Sequence, residues 1–284
     1  MLSRIIVPVR GDGMIEAVLG HASALANRHA SHILVAHCRL NTGDLIQYRS
    51  AMPAFARDTM VKQAQELANQ QEKAVRDQFH ALIAALGLAE TDAPVPRTTS
   101  IEFVEAAETM VDVIKHHGRL ADLVVVAKPD RDRNLGTNSL KSALFETGRP
   151  VLMCPTDQAV PTDLGRHITI AWNGSLEASR AVAMTLDLAK GADTVTILSG
   201  GKGEPHGATT EELVEYYRLR GISARAERFD TRNPAESLLA LTSDLGADLL
   251  VMGAYGKNHE RETLFGGNTQ TVVDKAKIPV VLVH

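Results

Sequence analysis

Ala121-Asp-Leu-Val-Val-Val-Ala127 and Ala247-Asp-Leu-Leu-Val-Met-Gly253 are one seven-residue phrase written twice. Each opens on Ala-Asp and continues as a run that is apolar on successive residues. That is the pattern of a strand buried on both faces of a parallel sheet. Upstream of the first copy lies Arg4-Ile-Ile-Val-Pro-Val9, then Gly11-Asp-Gly13 and a second strand-like run, Ser31–His37. Upstream of the second lies His167-Ile-Thr-Ile-Ala-Trp172, then Asn173-Gly-Ser175 and Asp193–Ser199. Downstream, each copy closes on a similar segment, Arg149-Pro-Val-Leu-Met-Cys154 and Ile278-Pro-Val-Val-Leu-Val283. Four matched segments in one order imply a tandem duplication. Pro155, Pro161 and Gly165 interrupt the pattern between the copies, which gives domains over residues 1–157 and 164–284.

The intervening segments have helical spacing. Ser175–Lys190 places Ala178, Val182, Leu186 and Ala189 on one face and predicts a single helix. Thr209-Thr-Glu-Glu212 has the form of a capping box, and Asn233-Pro-Ala-Glu236 is a second start signal, with Asn as cap and Pro in the first turn. Strand and helix in alternation predict an α/β fold of two tandem Rossmann-like domains. Each holds a five-stranded parallel sheet with helices on both faces. The first half carries an extra helix, Arg57–Leu86, whose stripe is Val61, Ala64, Ala68, Val75, Phe79, Leu82 and Leu86. At 1.5 Å per residue it would run ~45 Å, so it is expected to cover its own sheet and overhang it, with a partner or lid surface as the alternative.

Composition excludes several classes. Hydrophobic residues are 44% and charged residues 23% of the 284, a globular balance. Thirty Lys and Arg against 34 Asp and Glu give a net charge of −4, with no sustained basic tract, so no nucleic-acid partner is expected. No apolar run approaches the ~18–20 residues of a membrane span, and Arg4, Arg10 and Asp12 break any leader-like segment. The expectation is a cytoplasmic protein. Cys38 and Cys154 fall in or beside strands and are read as inert core thiols. Among eleven histidines, His29, His32, His37, His116 and His117 have no recognised zinc-ligand spacing, so no metal ligand is assigned.

Open parallel sheets bind ligands beyond the carboxyl ends of their strands, where the strand order reverses. After the Ala247–Gly253 strand come Ala254-Tyr255-Gly256, nine residues, and Gly266-Gly-Asn-Thr269 opening the last helix. Glycines there let backbone approach an anion, and free amides at a helix start favour phosphate. Competing motifs fail. Gly11-Asp-Gly13 meets Glu16 where a dinucleotide fingerprint needs Gly or Ala, and no Gly-x4-Gly-Lys-Ser/Thr occurs. Ser199-Gly-Gly-Lys-Gly203 follows a second strand and reads as a connection.

With Gly253-x2-Gly256-x9-Gly266 between its strand and last helix, the chain resembles the universal stress protein family, as a tandem member. The resemblance implies an adenine nucleotide hydrolase-like fold of sheet order 3-2-1-4-5, pairing through the last strand, and ATP, with or without Mg²⁺, as cofactor. It also implies a ligand set: Asn173 where the family has Asp, and Met252, Gly253, Gly256, Gly266, Gly267 and Asn268 around ribose and phosphates. Asn173 lacks the charge, and Gly267 replaces a hydroxyl residue. A lost hydrogen bond to a charged group is worth ~1.5–3 kcal/mol, and Thr269, two residues further on, is not counted as its replacement. In the first half, Ala127-Lys-Pro-Asp130 lacks both early glycines, so no ATP is expected there. Lys128, Arg131 and Arg133 read as a solvated charged loop, with an anion site as the alternative.

The function implied is an adenine-nucleotide-binding stress regulator acting through an unknown protein partner, as an intramolecular pseudo-dimer or a homodimer. The alternative is a nucleotide-free dimeric scaffold pairing through Val151–Cys154 and Val280–Val283. No catalytic residue is assigned. His259 and Glu260 are read as loop residues, and at most slow ATP hydrolysis is expected.

Overall fold

The repeated Ala-Asp has a structural cause. In the computed structural model, Asp122 accepts from the backbone amides of Ser3 and Arg4 at 2.8 and 2.9 Å, and Asp248 accepts from Gly165 and Arg166 at 3.0 and 2.9 Å. Each aspartate thus anchors the start of its half's first strand. The structure describes residues 1–39, 54–200, 207–256 and 267–284.

The first half runs β1 (Arg4–Val9), α1 (Ile15–His29), β2 (His32–Cys38), α2 (Ala54–Leu86), β3 (Ser100–Ala106), α3 (Met110–Gly118), β4 (Leu123–Ala127), α4 (Thr137–Glu146) and β5 (Val151–Cys154). The second runs β6 (His167–Ala171), α5 (Leu176–Met184), α6 (Leu186–Gly191), β7 (Thr194–Gly200), α7 (Thr210–Arg218), β8 (Ala224–Phe229), α8 (Pro234–Asp244), β9 (Leu249–Gly253), α9 (Gly267–Lys275) and β10 (Val280–Val283).

The ten strands among the described residues form one sheet, ordered β3-β2-β1-β4-β5-β10-β9-β6-β7-β8. Each half keeps the order 3-2-1-4-5 with parallel neighbours. The halves meet edge to edge where β5 and β10 pair antiparallel, with Val280 opposite Met153, Val281 opposite Leu152 and Leu282 opposite Val151. The last-strand pairing expected from the resemblance therefore occurs inside one chain, and two edges that would otherwise lie open cover each other.

Because side chains alternate across a strand, the core divides by sheet face and not by half. One face joins Val7, Val35, Val125 and Leu152 to Ile168, Ile170, Val251 and Val281. The other joins Ile6, Val124, Val126 and Met153 to Leu250, Met252 and Leu282. Both hydrophobic layers run the width of the molecule.

Two helix expectations need correction. Ser175–Lys190 is not one helix: it breaks at Thr185, whose hydroxyl donates to the Ala181 carbonyl at 2.7 Å and whose backbone leaves the helical region. At α8, Pro234 does open the helix, but the Asn233 side chain makes no cap bond. The Asn233 backbone amide donates to the Thr231 hydroxyl, its side-chain amide lies 3.5 Å from the Glu236 carboxylate, and Glu236 pairs with Lys275. The Thr209–Glu212 capping box of α7 forms in full.

The long helix α2 buries Ala68, Val75, Phe79 and Ile83. Phe79 packs on Phe103 of β3 at 4.8 Å between ring centroids. Arg39, just past β2, pairs with Glu72 at 2.9 Å, and Arg76 pairs with Glu105 near the end of β3. The helix therefore passes the carboxyl-end rim of the first sheet between residues 72 and 76, and its earlier turns overhang, with Met60 and Leu67 exposed.

Candidate functional site

In the second half the order reverses between β9 and β7 on either side of β6, and a cleft of about 330 Å³ opens there beyond the carboxyl ends of the strands. Asn173, Met252, Gly253, Gly256, Gly267 and Asn268 all line it. Gly266 falls outside the described residues, as do His259, Glu260 and residues 201–203.

The loop after β6 is built to hold its shape. The Asn173 Oδ1 accepts from the Ser175 amide at 3.1 Å, and the Ser175 hydroxyl accepts from the Ala178 amide at 3.2 Å, capping α5. Asn173 therefore spends its acceptor on its own turn and keeps its amide donors for a ligand. Trp172 forms the adjacent wall; its indole N–H donates to the Ala208 carbonyl at 3.0 Å. Gly200 admits the Phe229 ring, since a β-carbon there would lie 2.2 Å from it. Trp172, Phe229, Ala235 and Leu238 give the cleft its apolar wall.

Gly253 and Gly267 act differently from one another. A β-carbon on Gly253 would sit 2.5 Å from both the Ala178 nitrogen and the Glu177 carbonyl carbon. Its bareness lets β9 press against the start of α5. Gly267 opens α9 with φ +78°, and a β-carbon there would meet nothing within 4 Å. Between them Tyr255 takes φ +53°, and its amide donates to the Thr269 hydroxyl at 3.4 Å. Thr269, not counted as a replacement for the lost hydroxyl, thus reaches the cleft wall from the first turn of α9.

Three helix starts face this space: Ser175–Ala178 of α5, Pro234–Ala235 of α8 and Gly267–Thr269 of α9. Their positive dipole ends favour an anion; the Ser175 and Ala178 amides are already bonded and Pro234 has none. Glu177, which sequence reading left out, is the sole charged side chain among the described lining residues.

The corresponding rim of the first half is filled. Gly11, after β1, packs against Val75 of α2, where a β-carbon would lie 2.8 Å from the valine methyl. After β4, Asp130 and Leu135 exchange backbone bonds of 3.0 and 2.9 Å, and the Arg133 amide donates to the Asp130 carboxylate. Amides that could cradle a phosphate are spent within this turn. The loop is solvated as expected, with Arg131 and Arg133 exposed and Lys128 half-buried, but its cations also have partners. Lys128 donates to the Ala276 carbonyl at 2.8 Å, Arg131 pairs with Asp274 at 2.8 Å, and Arg133 reaches the Asp12 carbonyl at 3.3 Å.

Both cysteines are buried and free; burial pushes the Cys38 thiol up to about 11 and raises the Cys154 thiol well above its ordinary value. His32 lies against Ser100 at 2.9 Å, and His21 bonds the Ala17 carbonyl at 2.7 Å. Among the described residues no three His, Cys, Asp or Glu side chains gather as a metal site, and no described helix is long and apolar enough to cross a membrane.

The family model of the universal stress proteins matches residues 165–284, the half that carries the open cleft. Residues 165–284 are a universal stress protein domain. A universal stress protein of Methanocaldococcus jannaschii is 36% identical over 50 residues, a stretch spanning 18% of this chain and 31% of that protein. In fold, the likeness extends to the whole chain. A universal stress protein from Archaeoglobus fulgidus superposes with a TM-score of 0.68 at 17% identity, over 99% of this chain and 95% of its own. A functionally unknown protein from Pseudomonas aeruginosa gives 0.53 at 18% identity, over 99% and 92%.

Proposed function

We propose that the universal stress domain at residues 165–284 binds an adenine nucleotide in this cleft, and that occupancy is the signal the protein presents to a partner. The observation that carries the reading is the convergence of Asn173, Met252, Gly253, Gly256, Gly267 and Asn268 on one cleft at the reversal of strand order. The apolar wall of Trp172, Phe229 and Leu238 suits a purine ring, and the start of α9, with no acidic residue in its first turn, suits the phosphates. Binding would order the glycine turn and α9, whose far end is tied to the first half through Lys128 and Arg131. The first half, its rim filled by α2 and the Asp130–Leu135 turn, serves as the fixed partner of the pseudo-dimer and takes no nucleotide. No catalytic residue is part of this reading.

Calorimetric titration with ATP, ADP and adenosine tests it. One equivalent bound per chain is expected. No heat with any of the three, and no nucleotide released on denaturing the purified protein, would leave the nucleotide-free scaffold as the better account.

A further inference from the structure

Glu177 stands in an unusual place for a carboxylate. It is 9% exposed, it occupies the first turn of α5, and it has no hydrogen-bond or ion-pair partner among the described residues. Its side chain lies along the glycine turn: a β-carbon built on Gly253 would be 2.9 Å from Glu177 Cβ, and one on Gly256 would be 3.3 Å from Oε2 and 3.9 Å from Oε1. Both carboxylate oxygens therefore sit beside the Gly256 backbone, inside the cleft. No described cationic side chain lines that cleft to offset the charge. Glu177 also answers the positive end of α5 from within, so the start of α9 is left as the unneutralised dipole.

Building on the nucleotide reading, we infer that Glu177 is the specificity-determining residue of the cleft. Its fixed negative charge at the glycine turn discriminates against phosphate charge, so the site takes the adenosine moiety directly and a polyphosphate chain only when a divalent cation shields it. Like charges a few ångströms apart in a partly dehydrated site repel strongly enough to cost about tenfold or more in affinity. Adenosine, being neutral, is insensitive to the carboxylate.

The test is a set of titrations on the full chain, wild type against Glu177→Gln, with adenosine and with ATP, each in EDTA and in excess Mg²⁺. Removing the charge should raise ATP affinity in EDTA about tenfold or more while leaving adenosine affinity within about twofold. The gain that Mg²⁺ gives ATP should shrink in the variant. Glu177→Met, neutral and of similar length, guards against a folding defect in the amide variant, with circular dichroism as the check. Equal ATP affinity in EDTA for wild type and both variants would overturn the inference and leave the nucleotide reading standing. An equal rise for adenosine and ATP would also overturn it, since that marks a packing effect. Failure of every protein to bind either ligand would remove the nucleotide reading and this inference with it.

Discussion

The Lys128 ammonium donates to the Ala276 carbonyl across 148 residues of sequence, so a cation of the first half caps the last helix of the second. Arg131 and Asp274 reinforce the same seam at 2.8 Å. Between them they fasten the degraded loop of one half to the helix that opens on the other half's cleft.

Lys128→Ala should cost about 1–2 kcal/mol of stability, as expected for a half-buried charged donor at a helix end. Nucleotide affinity should change little, because the cleft lies at the opposite end of α9. Urea unfolding measures the first quantity and calorimetry the second. A large loss of anion binding without a loss of stability would restore the site alternative for this loop.

Leu152 and Val281 face each other across the β5–β10 seam, both fully buried, in a core layer shared by both halves. Heating should therefore unfold both halves in one transition. Leu152→Ala should lower stability by about 2–5 kcal/mol without splitting that transition. Trp172 emission reports the second half, far-UV circular dichroism the whole chain, and the two curves should coincide.

Gly253 and Gly267 should separate sharply on substitution. Gly253→Ala drives a methyl into the Ala178 nitrogen and Glu177 carbonyl carbon at 2.5 Å and should cost about 1–3 kcal/mol through displacement of α5. Gly267→Ala meets no atom and bears only the strain of its positive φ, about 1 kcal/mol. Thermal melts of the two variants under one buffer give the comparison.

Burial, the largest cause in each case, holds His21, His29, His32, His37 and His117 below their ordinary value of 6.5. Below pH 6.5 the unfolded chain binds protons that the folded chain refuses, so stability is whole above that pH and drains away as pH falls through the folded-state values. Melting temperature should therefore drop between pH 7.5 and 5. His21→Gln, at the most deeply buried of the five, should flatten part of that slope.

The strand content of both halves, the duplication and the cleft's position were legible because they depend on local patterns: apolar runs, Ala-Asp starts, glycines after a strand. The strand order and the last-strand pairing came with the family resemblance. What stayed hidden depends on distant partners. The acceptor for Lys128 lies in the other half, and the filling of the first rim depends on how Val75 of α2 meets Gly11. The break at Thr185 turns on a hydroxyl choosing the Ala181 carbonyl, which helical spacing does not register. Glu177 looked like an ordinary first-turn acid; only the closeness of α5 to β9, enforced by Gly253, turns it into the cleft.

Trp172 is the sole tryptophan and forms a wall of the cleft, so its emission during an ATP titration in Mg²⁺ measures the proposed site directly. A saturable change that ends at one nucleotide per chain, and that Gly256→Asp abolishes, is the outcome the account predicts. Emission that stays constant while ATP binds, or a second equivalent bound with equal affinity, would contradict it.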